Sequence, residues 1–134
     1  MLSQNPMVSK AVKAARRAAR GAVEGVYEGT CTVVEYASTV DEKTKVSRQG
    51  EVVVLRDQPC RLSFEKISAA LQADVAAKVS QGVKLFIAPE VRVNPGSKVI
   101  VTQNGVTGEY AASGEPAVYH SHQEVMLELF GGWA

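Results

Sequence analysis

The dipeptide Asn104-Gly105 lies between two β-prone runs, Lys98–Thr102 and Val106–Tyr110, and no other stretch of the chain restricts its fold as tightly. Asn and Gly readily take the positive φ angles of a two-residue hairpin turn, so the two runs are expected to pair antiparallel. Similar punctuation recurs around them. Val83, Leu85 and Ile87 alternate with Lys84 and Phe86, Pro95-Gly96 marks a turn, and Ser113-Gly114-Glu115-Pro116 reads as another. In a final strand, Glu124–Phe130, the residues Val125, Leu127 and Leu129 alternate with polar or flexible neighbours.

Upstream, Val26–Tyr36 and Glu51–Leu55 carry the β-branched and aromatic residues that favour strands, and Cys60–Phe64 reads as a short strand after Pro59. The polar stretch Ser38–Gly50 between the first two reads as a long exposed hairpin loop that presents Asp41, Glu42, Lys43, Thr44, Lys45 and Arg48. Roughly seven short strands without β-α-β repetition predict a mostly β fold, a small antiparallel β-barrel or sandwich. Alternation assigns Val33, Leu85, Ile87, Val99, Val101, Val125, Leu127 and Leu129 to its interior.

The first part of the chain follows a different period. Val8, Val12, Ala15, Ala19 and Ala22 recur every three or four residues and predict an N-terminal amphipathic α-helix over Val8–Val23. Lys10, Lys13, Arg17 and Arg20 occupy the opposite stripe with Arg16 on its flank, and Glu24 is the only acidic residue before residue 26. Residues 1–25 therefore carry +4 and the remainder −3, although the whole chain is at +1. Residues 1–25 read as the basic helix and 26–134 as the barrel domain. A short internal helix is expected over Glu65–Ser80, where Ile67, Leu71, Val75 and Val79 precede Gly82.

A length of 134 residues suits one hydrophobic core. No apolar run approaches the roughly 20 residues of a membrane-spanning helix, and the opening residues lack the pattern of a secretory signal, so the expected location is the cytoplasm. Cys31 and Cys60 stand outside any CxxC or CxH arrangement and are expected to be buried free thiols.

His120, His122 and Glu124 share one face if their segment is extended, and two His with a carboxylate suit zinc or iron. The cluster has no second motif, and polar residues opposite Val125 and Leu127 are what a half-exposed strand requires, so no metal and no cofactor is expected. No GxSxG, GxxxxGK[ST], HExxH or strand-coupled GxGxxG occurs, and the sequence reads as an assembly part rather than an enzyme. The basic helix admits three readings: a solvated face, a contact with an acidic partner or neighbouring subunit, or contact with nucleic-acid phosphates.

Five segments, taken in order, carry a family resemblance. They are Tyr27-x-Gly29-Thr30-Cys31-Thr32-Val33, Gln58–Ser63, Lys84–Ile87, Pro95–Thr102 and Ser113–Glu124, spanning much of the chain from about Ala15 to Ala134. Together they resemble the head-completion, or head-tail connector, proteins of tailed phages and prophages of Gram-positive hosts. The resemblance implies a stopper-type neck protein, present in the host cytoplasm during assembly. It would form a sixfold or twelvefold ring between a portal-adaptor complex and tail or tail-terminator proteins, and help retain packaged DNA. It also implies a structural or interfacial role for Ser121, His122, Gln123 and Glu124. The basic helix supplies the alternative, a small β-barrel module that binds nucleic acid non-specifically.

Overall fold

The computed structural model describes residues 6–65 and 82–133, with the side chains of residues 6–9 and 65 excluded. One helix, α1 (Pro6–Glu24), precedes six strands: β1 (Gly29–Val40), β2 (Ser47–Glu65), β3 (Gly82–Ile87), β4 (Lys98–Gln103), β5 (Val106–Val118) and β6 (Gln123–Leu129). The strands close into a barrel in the order β1-β2-β3-β6-β5-β4, and every pairing is antiparallel. The internal helix expected after Glu65 falls outside the described residues, apart from Glu65 itself, which ends β2.

The alternation of β3, β4 and β6 builds the core. Val33, Leu85, Ile87, Val99, Val101 and Val125 are fully buried, and Cys31, Cys60 and Leu127 pack with them. Both cysteines are free. They lie diagonally across the β1–β2 ladder, where Gly29 faces Cys60 and Cys31 faces Gln58. A hydrogen bond to Cys60, and then burial, push the Cys31 thiol above its ordinary pKa.

The expected hairpin forms across Gln103 and Val106, with Asn104 at φ 54° and Gly105 at φ 77°. Pro95-Gly96 also turns: Ser97 N donates to Asn94 O at 3.0 Å, and Gly96 takes φ 88°. A seam appears where β1 begins. The Gln103 amide accepts from Leu62 N at 2.8 Å and donates to Leu62 O at 3.2 Å, standing in for a backbone partner. Gly29 permits this approach, since a Cβ there would come within 2.9 Å of Thr102 O.

Several expectations need correction. Val26 and Tyr27 do not start a strand, because their amides donate to Val23 O and Glu24 O and extend the helix exit. Glu51–Leu55 and Cys60–Phe64 belong to one strand, β2. Ser38–Gly50 is not a long loop: β1 runs to Val40 and β2 starts at Ser47, so Arg48 is a strand residue paired with Thr39. From Glu35 onward β1 has lost its pairing with β4, and β2 meets β3 only from Cys60, so Glu35–Val40 and Ser47–Val52 form a two-stranded ribbon. At its base β2 holds two extra residues, one beside Asp57 at φ 52°, and such bulges bend a ribbon away from its sheet.

Ser113–Pro116 is likewise no turn between strands but a bulge inside β5, with Gly114 at φ 73°. Leu129 keeps its place in the alternation yet is 77% exposed. The β3–β6 ladder ends at Val83 opposite Leu127, so one flank of Leu129 lies past the end of its neighbour.

Candidate functional site

Among the described residues nothing covers the cationic helix. Val12, Ala15 and Ala19 on its apolar stripe are exposed, as are Lys10, Lys13, Arg16 and Arg17, and α1 packs along no strand. None of those four cations has an ion-pair partner among the described residues. Arg20 differs from them. Its guanidinium bonds Glu24 at 3.1 Å and also Glu90, in the β3–β4 connection, so it ties the base of α1 to the barrel. The Arg20 hydrogen bond holds the Glu90 carboxyl below the usual carboxylate range.

At the ribbon tip Asp41 organises the turn. Its carboxylate accepts from Lys43 N at 2.8 Å, its carbonyl from Lys45 N at 2.7 Å, and its amide donates to Val46 O at 3.0 Å. Thr44 Oγ1 accepts from Val46 N at 3.3 Å, and Lys45 takes φ 59°. Glu42, Lys43 and Lys45 stand exposed around this turn.

Ser121, His122 and Glu124 are brought together. Ser121 Oγ lies 2.9 Å from His122 Nδ1, and His122 Nε2 lies 2.9 Å from Glu124 Oε2. Glu124 also meets Lys84 Nζ at 3.2 Å, and the His122 ring packs between Tyr119 and Phe86 at 5.0 and 5.6 Å. The hydrogen bond from His122, then that from Lys84, keeps Glu124 below the usual carboxylate range. This network fastens the start of β6 to β3. Gln123 faces inward instead, 2% exposed, donating to Ala88 O at 2.9 Å and to Val91 O. His120 is exposed and precedes β6. No group of three or more His, Cys, Asp or Glu suited to a metal occurs among the described residues, and no described helix is long and apolar enough to cross a membrane.

The helix, the ribbon tip and the His122 network are not joined by any hydrogen bond or ion pair among the described residues. His122 and the exit of α1 do share a cleft of about 530 Å³, with Val23, Val26, Tyr27 and Phe86 among its walls. The Tyr27 hydroxyl is buried without a hydrogen-bond partner among the described residues, and burial raises its pKa to about 12.

Sequence reasoning missed a second cleft, of about 470 Å³, formed where the C-terminal residues fold back on the barrel. The Trp133 ring stacks on Tyr36 at 5.4 Å and meets Phe130 edge-on at 5.1 Å, and Trp133 Nε1 donates to Glu51 Oε2 at 2.9 Å. Lys98, 8% exposed, lies over Phe130 and reaches Glu51 at 3.0 Å and Glu109 at 3.5 Å. The single Trp after Gly131-Gly132 was the signal in the sequence.

Hydrogen bonds from Trp133, then Lys98, hold Glu51 below the usual carboxylate range. A carboxyl with a depressed folded pKa stabilises the fold fully above its unfolded pKa, and that stability goes as pH falls through the folded value. Glu51, Glu90 and Glu124 all shift this way. The thermal midpoint should therefore hold down to about pH 5 and drop below it. Glu51→Gln should lower the midpoint at neutral pH and make the acid limb shallower, read by circular dichroism melts across pH.

No family model and no curated protein matches the sequence. Among solved structures the chain is similar to the phage-like element PBSX protein xkdH of Bacillus subtilis, at 12% identity and a TM-score of 0.41 over 73% of this chain and 90% of that one. A likeness of that size carries neither a family nor an activity from one chain to the other.

Proposed function

We propose that this protein is a structural subunit of a phage neck, a head-completion or stopper component that forms a ring between the portal-adaptor complex and the tail and helps retain packaged DNA. Its place would be the virion neck, and the host cytoplasm during assembly. The five-segment resemblance supports this reading, and one structural observation carries it. A small closed barrel bears two appendages, α1 and the β1–β2 ribbon, whose outer parts bury almost nothing against the other described residues. Surface left uncovered on this scale suits other subunits or DNA better than a small substrate. The role is structural rather than enzymatic on this reading, and the Ser121–His122–Glu124 network fixes a strand rather than activating a nucleophile.

The test is complementation of a phage lacking the gene, scored by electron microscopy. Without the protein, heads should leak DNA or fail to take tails, and a variant with the ribbon shortened beyond Ser38 and Gln49 should fold yet give the same defect. Normal yields of tailed, DNA-filled particles in the absence of the gene would refute the reading. The four cations of α1 that have no ion-pair partner among the described residues favour a second one, non-specific nucleic-acid binding, which predicts autonomous duplex binding that weakens steeply with salt.

A further inference from the structure

Among the described residues, cations without an ion-pair partner lie on α1 and carboxylates without one lie beside the C-terminal segment. The cleft under Trp133 is walled by the aromatic rings of Tyr36, Phe130 and Trp133 and by the carboxylates of Glu35 and Glu128, with no Lys or Arg among its described lining residues. Among the described residues Glu35 accepts only from neutral groups, Asn94 Nδ2 at 2.6 Å and Ser97 Oγ at 3.4 Å, and Glu128 is exposed without an ion pair. Lys98, beside the cleft, is already neutralised by Glu51 and Glu109. Ring faces with adjacent carboxylates suit a cation, and a guanidinium best, because it stacks flat on an aromatic face while donating to a carboxylate.

We propose that this cleft receives the cationic face of α1 from a second copy of the chain, with Arg16 or Arg17 seated between the aromatic rings and Glu128. The proposal rests on the ring reading and names the contact that joins one subunit to the next. Charge complementarity selects the occupant: the +4 segment and the −3 remainder are offered by every copy. The chain's own helix does not fill its own cleft, because Arg20 pins the base of α1 to Glu90 and the helix packs along no strand. A 19-residue helix is about 28 Å long, enough to reach a neighbour. Donor and acceptor are different surfaces, so the contact is heterologous; it leads to a closed ring when the rotation per subunit divides the circle, and to an open chain otherwise.

The full-length chain tests this by sedimentation velocity and by fluorescence of Trp133, its only tryptophan. Wild type should form species above monomer as concentration rises. A donor-dead variant, Arg16→Glu with Arg17→Glu, and an acceptor-dead variant, Glu128→Lys with Trp133→Phe, should each stay folded by circular dichroism and remain monomeric. Mixed in equal amounts they should form a dimer and nothing larger, with a saturable shift in tryptophan emission that high salt reverses. Combining Arg17→Glu with Glu128→Arg in one chain should restore higher species. The proposal is overturned by a wild type that stays monomeric at every concentration, by variants that still oligomerise alone, or by a mixture that forms no dimer. It is equally overturned if duplex DNA binds α1 while the variants do not pair. If the wild type is monomeric but its gene is still needed for tailed particles, the helix-to-cleft contact fails and the neck reading survives.

Discussion

Leu85→Ala should lower the unfolding free energy by about 2–5 kcal/mol, the usual range for deleting a large aliphatic side chain from a packed interior. Leu85 is fully buried, paired with Leu62 across β2–β3 and with Val125 across β3–β6. A domain of this size has a total stability of about 5–15 kcal/mol, so the variant could lose a third or more of it. Leu129→Ala supplies the control. The same atoms are removed from a side chain that is 77% exposed, and the change should stay within about 0.5 kcal/mol. Urea titrations of both variants decide the matter: comparable midpoints would mean that the barrel interior does not lie where β3 and β6 place it.

Gln123→Leu should cost about 1–3 kcal/mol despite its nearly unchanged volume, because it removes a buried donor and leaves an acceptor behind. Ala88 O keeps a second donor, Val91 N at 3.2 Å, whereas Val91 O loses the Gln123 amide. The damage should spread along the β3–β4 connection, since that segment also holds Glu90, the anchor for Arg20. Hydrogen exchange should show residues 88–97 opening first, with the β4–β5 hairpin still protected. Equal protection in variant and wild type would mean that the amide does not hold the connection.

The barrel was legible because β3 and β6 each turn alternate residues into the core and leave most of those between them half-buried or exposed, which writes a period of two into Val83, Leu85 and Ile87 and into Val125 and Leu127. The ribbon was illegible for the converse reason. Where both faces are wet, no alternation is required, and Ser38–Gly50 has the composition of a loop although most of it is strand. Leu129 was misplaced because alternation carries no record of where a neighbouring strand stops. The cationic stripe could be read directly, but not the departure of Arg20 from it, since its partner Glu90 lies 70 residues away. Trp133 joins residues from β1, β2 and the C-terminal segment, and no local pattern announces such a meeting.

The ribbon's wet faces also bear on how such a chain can change over generations. Beyond Tyr36 and Glu51, its residues are held by cross-strand backbone pairing and by the Asp41 turn, not by packing against the core. Inserting or deleting one facing pair at a time moves the tip by about 3.4 Å and repacks no interior side chain. The entropic penalty of a few more residues is small as well. Reach and sturdiness are therefore inherited as separate quantities, so lineages sharing one barrel can diverge in the distance their ribbon spans while the body stays equally resistant to unfolding.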